Sequence, residues 1–221
     1  MGFLKMAKNP NPGLINQHTL YISKSGGGKS QAMRQNKALK NGRHLFWDES
    51  RDQRMPGLVY YNDRTELIRA LDLALRQRYF KIGWDGLRDS KTFEWWCRVI
   101  WTIADGKRPL NLWIEELSRV NNSGEARPDH ALILNEGRKY GVIHRATTQR
   151  PQEITKTAYD NTAIYYIGQQ KKANMERFAH ELDIDKANLV GLKPLEFYHY
   201  DDNSGQQAQK INFKYRELPK I

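Results

Sequence analysis

The chain has 221 residues, 39% hydrophobic and 28% charged, a balance that fits one globular α/β domain and excludes a fibrous or disordered chain. Thirty-six Lys and Arg against twenty-five Asp and Glu leave a formal charge of +11. That excess favours a polyanionic partner, nucleic acid or an acidic membrane surface, over mere solubility. A single cysteine, Cys97, excludes an internal disulfide and points to the reducing cytosol.

In chain order, residues 1–8 carry Lys5 and Lys8 but no long apolar run, so no signal peptide is read there. The breaker cluster Asn9-Pro10-Asn11-Pro12-Gly13 marks residues 1–17 as an N-terminal arm. Residues 18–221 form a single domain. Thr19-Leu20-Tyr21-Ile22 reads as a strand, followed by glycines and a helix over 29–39 that stops at Asn41-Gly42. His44-Leu45-Phe46-Trp47 is a second strand ending in Asp48-Glu49, and residues 58–61 a third. The apolar spacing at 67, 68, 71, 75 and 79 predicts a helix over 65–79. Then come a strand over 80–84, a Trp-rich helix over 92–104 and a strand over 110–114. The window 93–104 is too short and, with Glu94 and Arg98, too charged to span a bilayer. Core packing is the reading for Trp95, Trp96 and Trp101. A helix over 130–139, a strand over 142–148, a strand over 163–167 and a helix over 171–182 follow. The chain ends in a β-hairpin at about 195–216, turning at Asp202-Asn203-Ser204-Gly205. Strands alternating with helices predict a mostly parallel sheet flanked by helices, with chemistry at the carboxyl ends of the strands.

Three candidate motifs lie at such ends. Ser23-Lys24-Ser25-Gly26-Gly27-Gly28-Lys29-Ser30 follows a strand and opens a helix. Its glycines let successive N–H groups turn toward phosphate oxygens, with Lys29 reaching the β- and γ-phosphates of ATP and the Ser30 hydroxyl meeting magnesium. Lys24 is a further γ-phosphate contact. The usual leading glycine is Ser23 here. The strand Leu110-Asn111-Leu112-Trp113-Ile114 runs into Glu115-Glu116. Such acids hold the magnesium shell and activate water, roles assigned to Glu115 and Glu116 respectively. Asp48-Glu49 has the same look but ranks lower, because it comes so soon after the phosphate loop. The third motif is Gln149-Arg150-Pro151 after the strand over 142–148, placed to sense a γ-phosphate. Apart from these, Arg138 closes a helix, where it either caps the dipole or points into a neighbouring site. The six histidines lack ligand spacing, so no zinc site is read.

Together the Ser-Gly-Gly-Gly-Lys-Ser loop, the strand ending in two acids, Gly137-Arg138-Lys139-Tyr140-Gly141 and Thr147-Thr148-Gln149-Arg150-Pro151 resemble the FtsK–HerA superfamily of DNA-pumping P-loop ATPases. Within it, the size and paired Glu look most like the genome-packaging ATPases of membrane-containing icosahedral viruses such as tectiviruses. The resemblance implies a RecA-like P-loop fold, ATP and Mg2+ as cofactors, and Gln149 as γ-phosphate sensor. It implies Arg138, with Arg150 as the alternative, as an arginine finger acting across a subunit boundary. It further implies a homo-oligomeric ring, hexameric in many members, with DNA in a central pore. A capsid or viral membrane protein would dock the motor, placing the chain in the host cytoplasm and at the virion packaging vertex. The loop 119–127 after the acidic strand is a pore lever, with Arg119 and Arg127 as sequence-independent phosphate contacts. The competing readings are an extrusion ATPase of the filamentous-phage type, which a membrane span would support, a small-molecule kinase, which needs a lid, and a non-catalytic scaffold, which would lack the acidic pair.

Overall fold

The computed structural model describes residues 6–120 and 124–219. Residues 1–5 of the expected arm, 121–123 of the expected lever loop and 220–221 lie outside the described residues. The strands are β1 (Thr19–Ile22), β2 (Arg43–Trp47), β3 (Leu58–Tyr61), β4 (Phe80–Trp84), β5 (Leu110–Ile114), β6 (Val142–Thr148), β7 (Ile164–Ile167), β8 (Glu196–Asp201) and β9 (Gln209–Asn212). The helices are α1 (Lys29–Arg34), α2 (Arg64–Ala74), α3 (Ser90–Ile103), α4 (Pro128–Glu136), α5 (Lys156–Asp160), α6 (Lys172–Leu182) and α7 (Lys186–Val190).

All the strands join one sheet in the order β3-β4-β2-β5-β6-β1-β7-β8-β9. The pairs from β3 through β7 are parallel, whereas β7–β8 and β8–β9 are antiparallel, so the C-terminal hairpin extends the sheet edge. β1, β2 and β5 are buried at every position, as a parallel strand covered on both faces must be. One face packs Leu20, Ile22, Leu45, Trp47, Leu112, Ile114 and Ala146 with Phe93, Trp96, Cys97, Ile133 and Phe178 of the helices. On the other, Tyr21, Phe46 and Trp113 meet Ala32, Met33, Leu39 and Phe197. Trp47 lies 5.1 Å from Phe93 and 5.7 Å from Trp96 between ring centroids. Trp96 is core as expected, while Trp95 and Trp101 are only half-buried.

Local chemistry explains where the boundaries depart from the sequence reading. The helix expected over 29–39 breaks after Arg34, because the Asn36 side chain accepts from the Ala38 N–H at 2.9 Å and starts a separate 3-10 turn, Lys37–Lys40. The helix expected to reach residue 79 starts at an Asp63 cap but ends at Ala74, and Tyr79 is exposed. The helix expected over 130–139 starts at Pro128 and tightens after Glu136 into a 3-10 turn, Gly137–Tyr140. Gly141 ends that turn at φ +71°, and a Cβ there would stand 2.9 Å from the Asp105 carbonyl. α5 and α7 were not read from the sequence.

The described part of the arm is fastened down. Lys8 pairs with Asp105, Asn9 Nδ2 donates to Asp105 Oδ1 at 2.9 Å, and the Asn11 N–H donates to the Lys139 carbonyl at 2.7 Å. These contacts run across the amino ends of the strands. No helix among the described residues is long and apolar enough to cross a membrane.

Candidate functional site

Three neighbouring strands, β1, β6 and β5, deliver the predicted site residues to one edge of the sheet. The phosphate loop leaves β1 at Ser23, whose buried hydroxyl donates to the Gln169 carbonyl at 3.2 Å. A Cβ on Gly27 would sit 2.0 Å from that hydroxyl oxygen. Serine in place of the usual leading glycine is thus accommodated by the glycine four residues on. Gly28 takes φ +99°, and a Cβ there would meet Leu195 Cδ2 at 2.6 Å. The Leu195 N–H donates to the Gly27 carbonyl at 3.1 Å, tying the loop to the approach to β8. The loop's curl therefore requires these glycines.

The acids end β5. Glu116 has φ 51° and ψ 66°, a left-handed conformation that non-glycine residues rarely adopt and that marks stored strain. One hydroxyl from β6 binds both acids: Thr147 Oγ1 donates to Glu115 Oε2 at 2.8 Å and accepts from the Glu116 N–H at 2.9 Å. Among the described residues the partners of Glu116 all fall on Oε1: Ser118 Oγ and the Gln149 N–H, each at 2.9 Å, and Thr148 Oγ1 at 3.5 Å. The carboxylate is anchored through one oxygen, which leaves Oε2 for a ligand.

Glu115 is pulled in opposite directions. Burial pushes its carboxyl up from 4.5 to about 7, helped by the Asp48 charge, while Thr147, Gln53 and Ser30 hydrogen bonds pull it down. Burial likewise lowers Lys29, with the charges of Glu116 and Glu115 opposing. Gln53 Nε2 donates to Glu115 Oε1. Asp48, fully buried, accepts from the Gln53 N–H at 2.7 Å, the Asp52 N–H at 2.9 Å and the Tyr60 hydroxyl. Burial also raises the Asp48 carboxyl, against those same hydrogen bonds.

Ser25, Gly26, Lys29, Ser30, Glu115, Glu116 and Gln149 line one cavity of about 220 Å³, together with Glu49, Ser50, Asp52 and Arg119. The phosphate loop, the acidic pair and the glutamine are therefore brought together. Lys24 is exposed and outside the cavity lining, its N–H donating to the Gln169 carbonyl at 2.7 Å. Arg138 is not brought to the site of its own chain. It lies just before β6, at the opposite end of the strands, and its guanidinium donates to the Pro12 carbonyl at 2.8 Å and to the Leu14 carbonyl. Arg150 is exposed at the site end of β6 and bonds Glu153 at 3.2 Å. Arg119, expected at DNA, sits at the cavity with its NH1 3.1 Å from Glu49 Oε2, and Arg127 is exposed at the start of α4.

Asp48-Glu49, ranked below the other motifs, lies next to them in the sheet. β2 pairs with β5, Trp47 opposite Ile114, so its acids end beside Glu115. The strand-end acids were visible in the sequence, but the adjacency was not. Thr147 carried the weaker signal of a polar strand end, and Gln53 carried none.

Ser30 and Glu115 offer oxygen donors, which suit a hard divalent cation. Among the described residues no three His, Cys, Asp or Glu side chains form a metal cage. A magnesium ion that arrives with nucleotide needs one or two protein oxygens, and phosphates and water supply the rest. The residues present fit that arrangement.

Fold and phosphate loop together define a P-loop NTPase fold. The chain is 28% identical over 223 residues to Protein P9 of Pseudoalteromonas phage PM2, covering 95% of this chain and 97% of that protein. It superimposes on the genome packaging NTPase B204 of Sulfolobus turreted icosahedral virus 2 in complex with AMPPCP with a TM-score of 0.71 at 14% identity, over 91% of this chain and 99% of that one. EccC of Thermomonospora curvata (ATPases 2 and 3, in complex with a signal sequence peptide) gives a TM-score of 0.55 at 16% identity, covering 91% of this chain and 37% of that one. No family model matches the sequence.

Proposed function

We propose that the protein is an ATPase that drives DNA into a preformed viral capsid. The observation that carries this reading is the convergence of Lys29, Ser30, Gln149, Glu115 and Glu116 from three adjacent strands on one cavity. The packaging function of B204 and the +11 charge support DNA as the polymer moved.

In this reading the loop N–H groups and Lys29 bind the β- and γ-phosphates, and Ser30 and Glu115 would hold a magnesium ion, which would supply positive charge beside the phosphates. Water attacks the γ-phosphorus, its proton passes to Glu116 Oε2, and the bond to the β–γ bridging oxygen breaks. Gln149 orients that water. Arg138 reaches a neighbouring subunit's nucleotide across a ring, which requires its hold on the arm carbonyls to open. The sequence-independent DNA path, the hexamer and a capsid or membrane docking partner belong to the same proposal.

The test is steady-state ATP hydrolysis, with and without duplex DNA, by wild type, Glu116→Gln, Arg138→Ala and a mixture of the two variants. The proposal expects DNA-stimulated turnover, two inactive variants and partial recovery on mixing, because each variant supplies the part the other lacks. A wild type that turns over ATP without responding to DNA overturns the motor. A fully active Arg138→Ala overturns the finger.

A further inference from the structure

We infer that Arg119 binds, in cis, the terminal phosphate of a nucleoside triphosphate, and that Glu49 holds it in reserve when no such phosphate is present. This rests on the nucleotide-site reading above.

The chain itself brings Arg119 to the cavity. After the left-handed Glu116, the 3-10 turn Leu117–Arg119 folds back, with the Arg119 N–H donating to the Glu116 carbonyl at 3.0 Å. The guanidinium then lines the same cavity as Lys29 and Ser30. Its recorded partner there is Glu49 Oε2 at 3.1 Å. The two ends of that pair differ: the Arg119 side chain is 55% exposed and that of Glu49 is 8% exposed. Glu49 Oε1 is buried without a hydrogen-bond partner. A carboxylate so buried depends on its counter-charge, whereas the half-exposed arginine is free to change partner.

A terminal phosphate offers the guanidinium more negative charge and more acceptor oxygens than one carboxylate oxygen, and matches its planar fork. Entry of a triphosphate into this cavity therefore sets up a competition for Arg119. A diphosphate, lacking the terminal group, leaves Arg119 with Glu49. The pair distinguishes triphosphate from diphosphate within one subunit. It also gives Arg119 work at the nucleotide in place of the DNA contact read from the sequence.

The experiment uses the full chain and displacement of a fluorescent nucleotide by AMPPCP and by ADP, both with magnesium, alongside duplex-DNA binding at saturating AMPPCP. Wild type prefers AMPPCP. Arg119→Ala narrows the AMPPCP-to-ADP ratio about tenfold, which is about 1.4 kcal/mol, and leaves DNA affinity unchanged. Arg119→Lys restores part of the ratio, and Glu49→Gln widens it by releasing Arg119. A purely structural role would lower the melting temperature of these variants without moving the ratio. An unchanged ratio in Arg119→Ala with weaker, less salt-sensitive DNA binding makes Arg119 a DNA contact and overturns the inference. A Glu49→Gln ratio equal to wild type removes Glu49 from it. If wild type binds neither nucleotide, the site reading itself fails, an outcome distinct from these.

Discussion

The two ends of the central strands are built to opposite purposes. At the amino ends the arm closes over the sheet: Asn9 and Asn11 bond Asp105 and Lys139, and Arg138 spends its guanidinium on the Pro12 and Leu14 carbonyls. At the carboxyl ends the chain does the reverse. It holds Glu116 in a left-handed backbone, buries Glu115 where its carboxyl titrates near 7, and leaves Glu49 Oε1 without a partner. At the carboxyl ends the strained acid and the buried carboxylates gather around one cavity, where a ligand is to be met.

Breaking the carboxyl end has the largest expected effect. Lys29→Ala removes the one loop cation placed for the phosphates, so kcat for ATP falls by about 10²–10³, with little change in melting temperature because the side chain packs no core. Thr147→Val comes next. It deletes one hydroxyl that serves both acids, leaving the Glu116 N–H and Glu115 Oε2 short of a partner. Turnover should drop about tenfold, and urea denaturation should show a loss of about 1–3 kcal/mol.

A third test uses pH on the metal-free protein in EDTA. Glu115 keeps its proton in the fold from 4.5 up to about 7, whereas the unfolded chain releases it near the ordinary value. Over that window the folded state binds more protons, so this residue costs stability progressively as pH rises, and the cost is complete above about 7. Glu115→Gln should therefore be more stable than wild type at pH 8, by up to roughly 3 kcal/mol, and show no gain at pH 4. A gain at both pH values would mean that Glu115 is not held protonated by burial.

The smallest effect belongs to the amino end. Arg138→Ala should cost the isolated subunit about 1 kcal/mol, seen as faster proteolysis within residues 9–17. Equal proteolysis in variant and wild type would remove the arm contact from the account.

Most of the strands could be read from the sequence because each is a short run of β-branched and aromatic residues bounded by turns, as at Thr19–Ile22 and Phe80–Trp84. Helix ends were harder. α2 stops at Ala74 with no glycine or proline to announce it, and α5 and α7, five residues each, are too short for a periodic signal. The phosphate loop, the acidic pair and Gln149 were legible because each is local: a loop or strand end with a fixed chemistry. Gln53 escaped, and the place of Asp48 and Glu49 beside Glu115 was not legible, because both depend on β2 lying beside β5. Strand order is a property of the whole sheet and leaves no mark on a local window.

The most direct measurement is single-turnover cleavage of ATP by Glu116→Gln, with nucleotide affinity taken on the same sample. The account predicts wild-type affinity with cleavage slowed at least about 100-fold, because the phosphate loop is intact and the proton acceptor is gone. Cleavage at the wild-type rate would contradict it, since the strained acid at the end of β5 would then have no part in the chemistry.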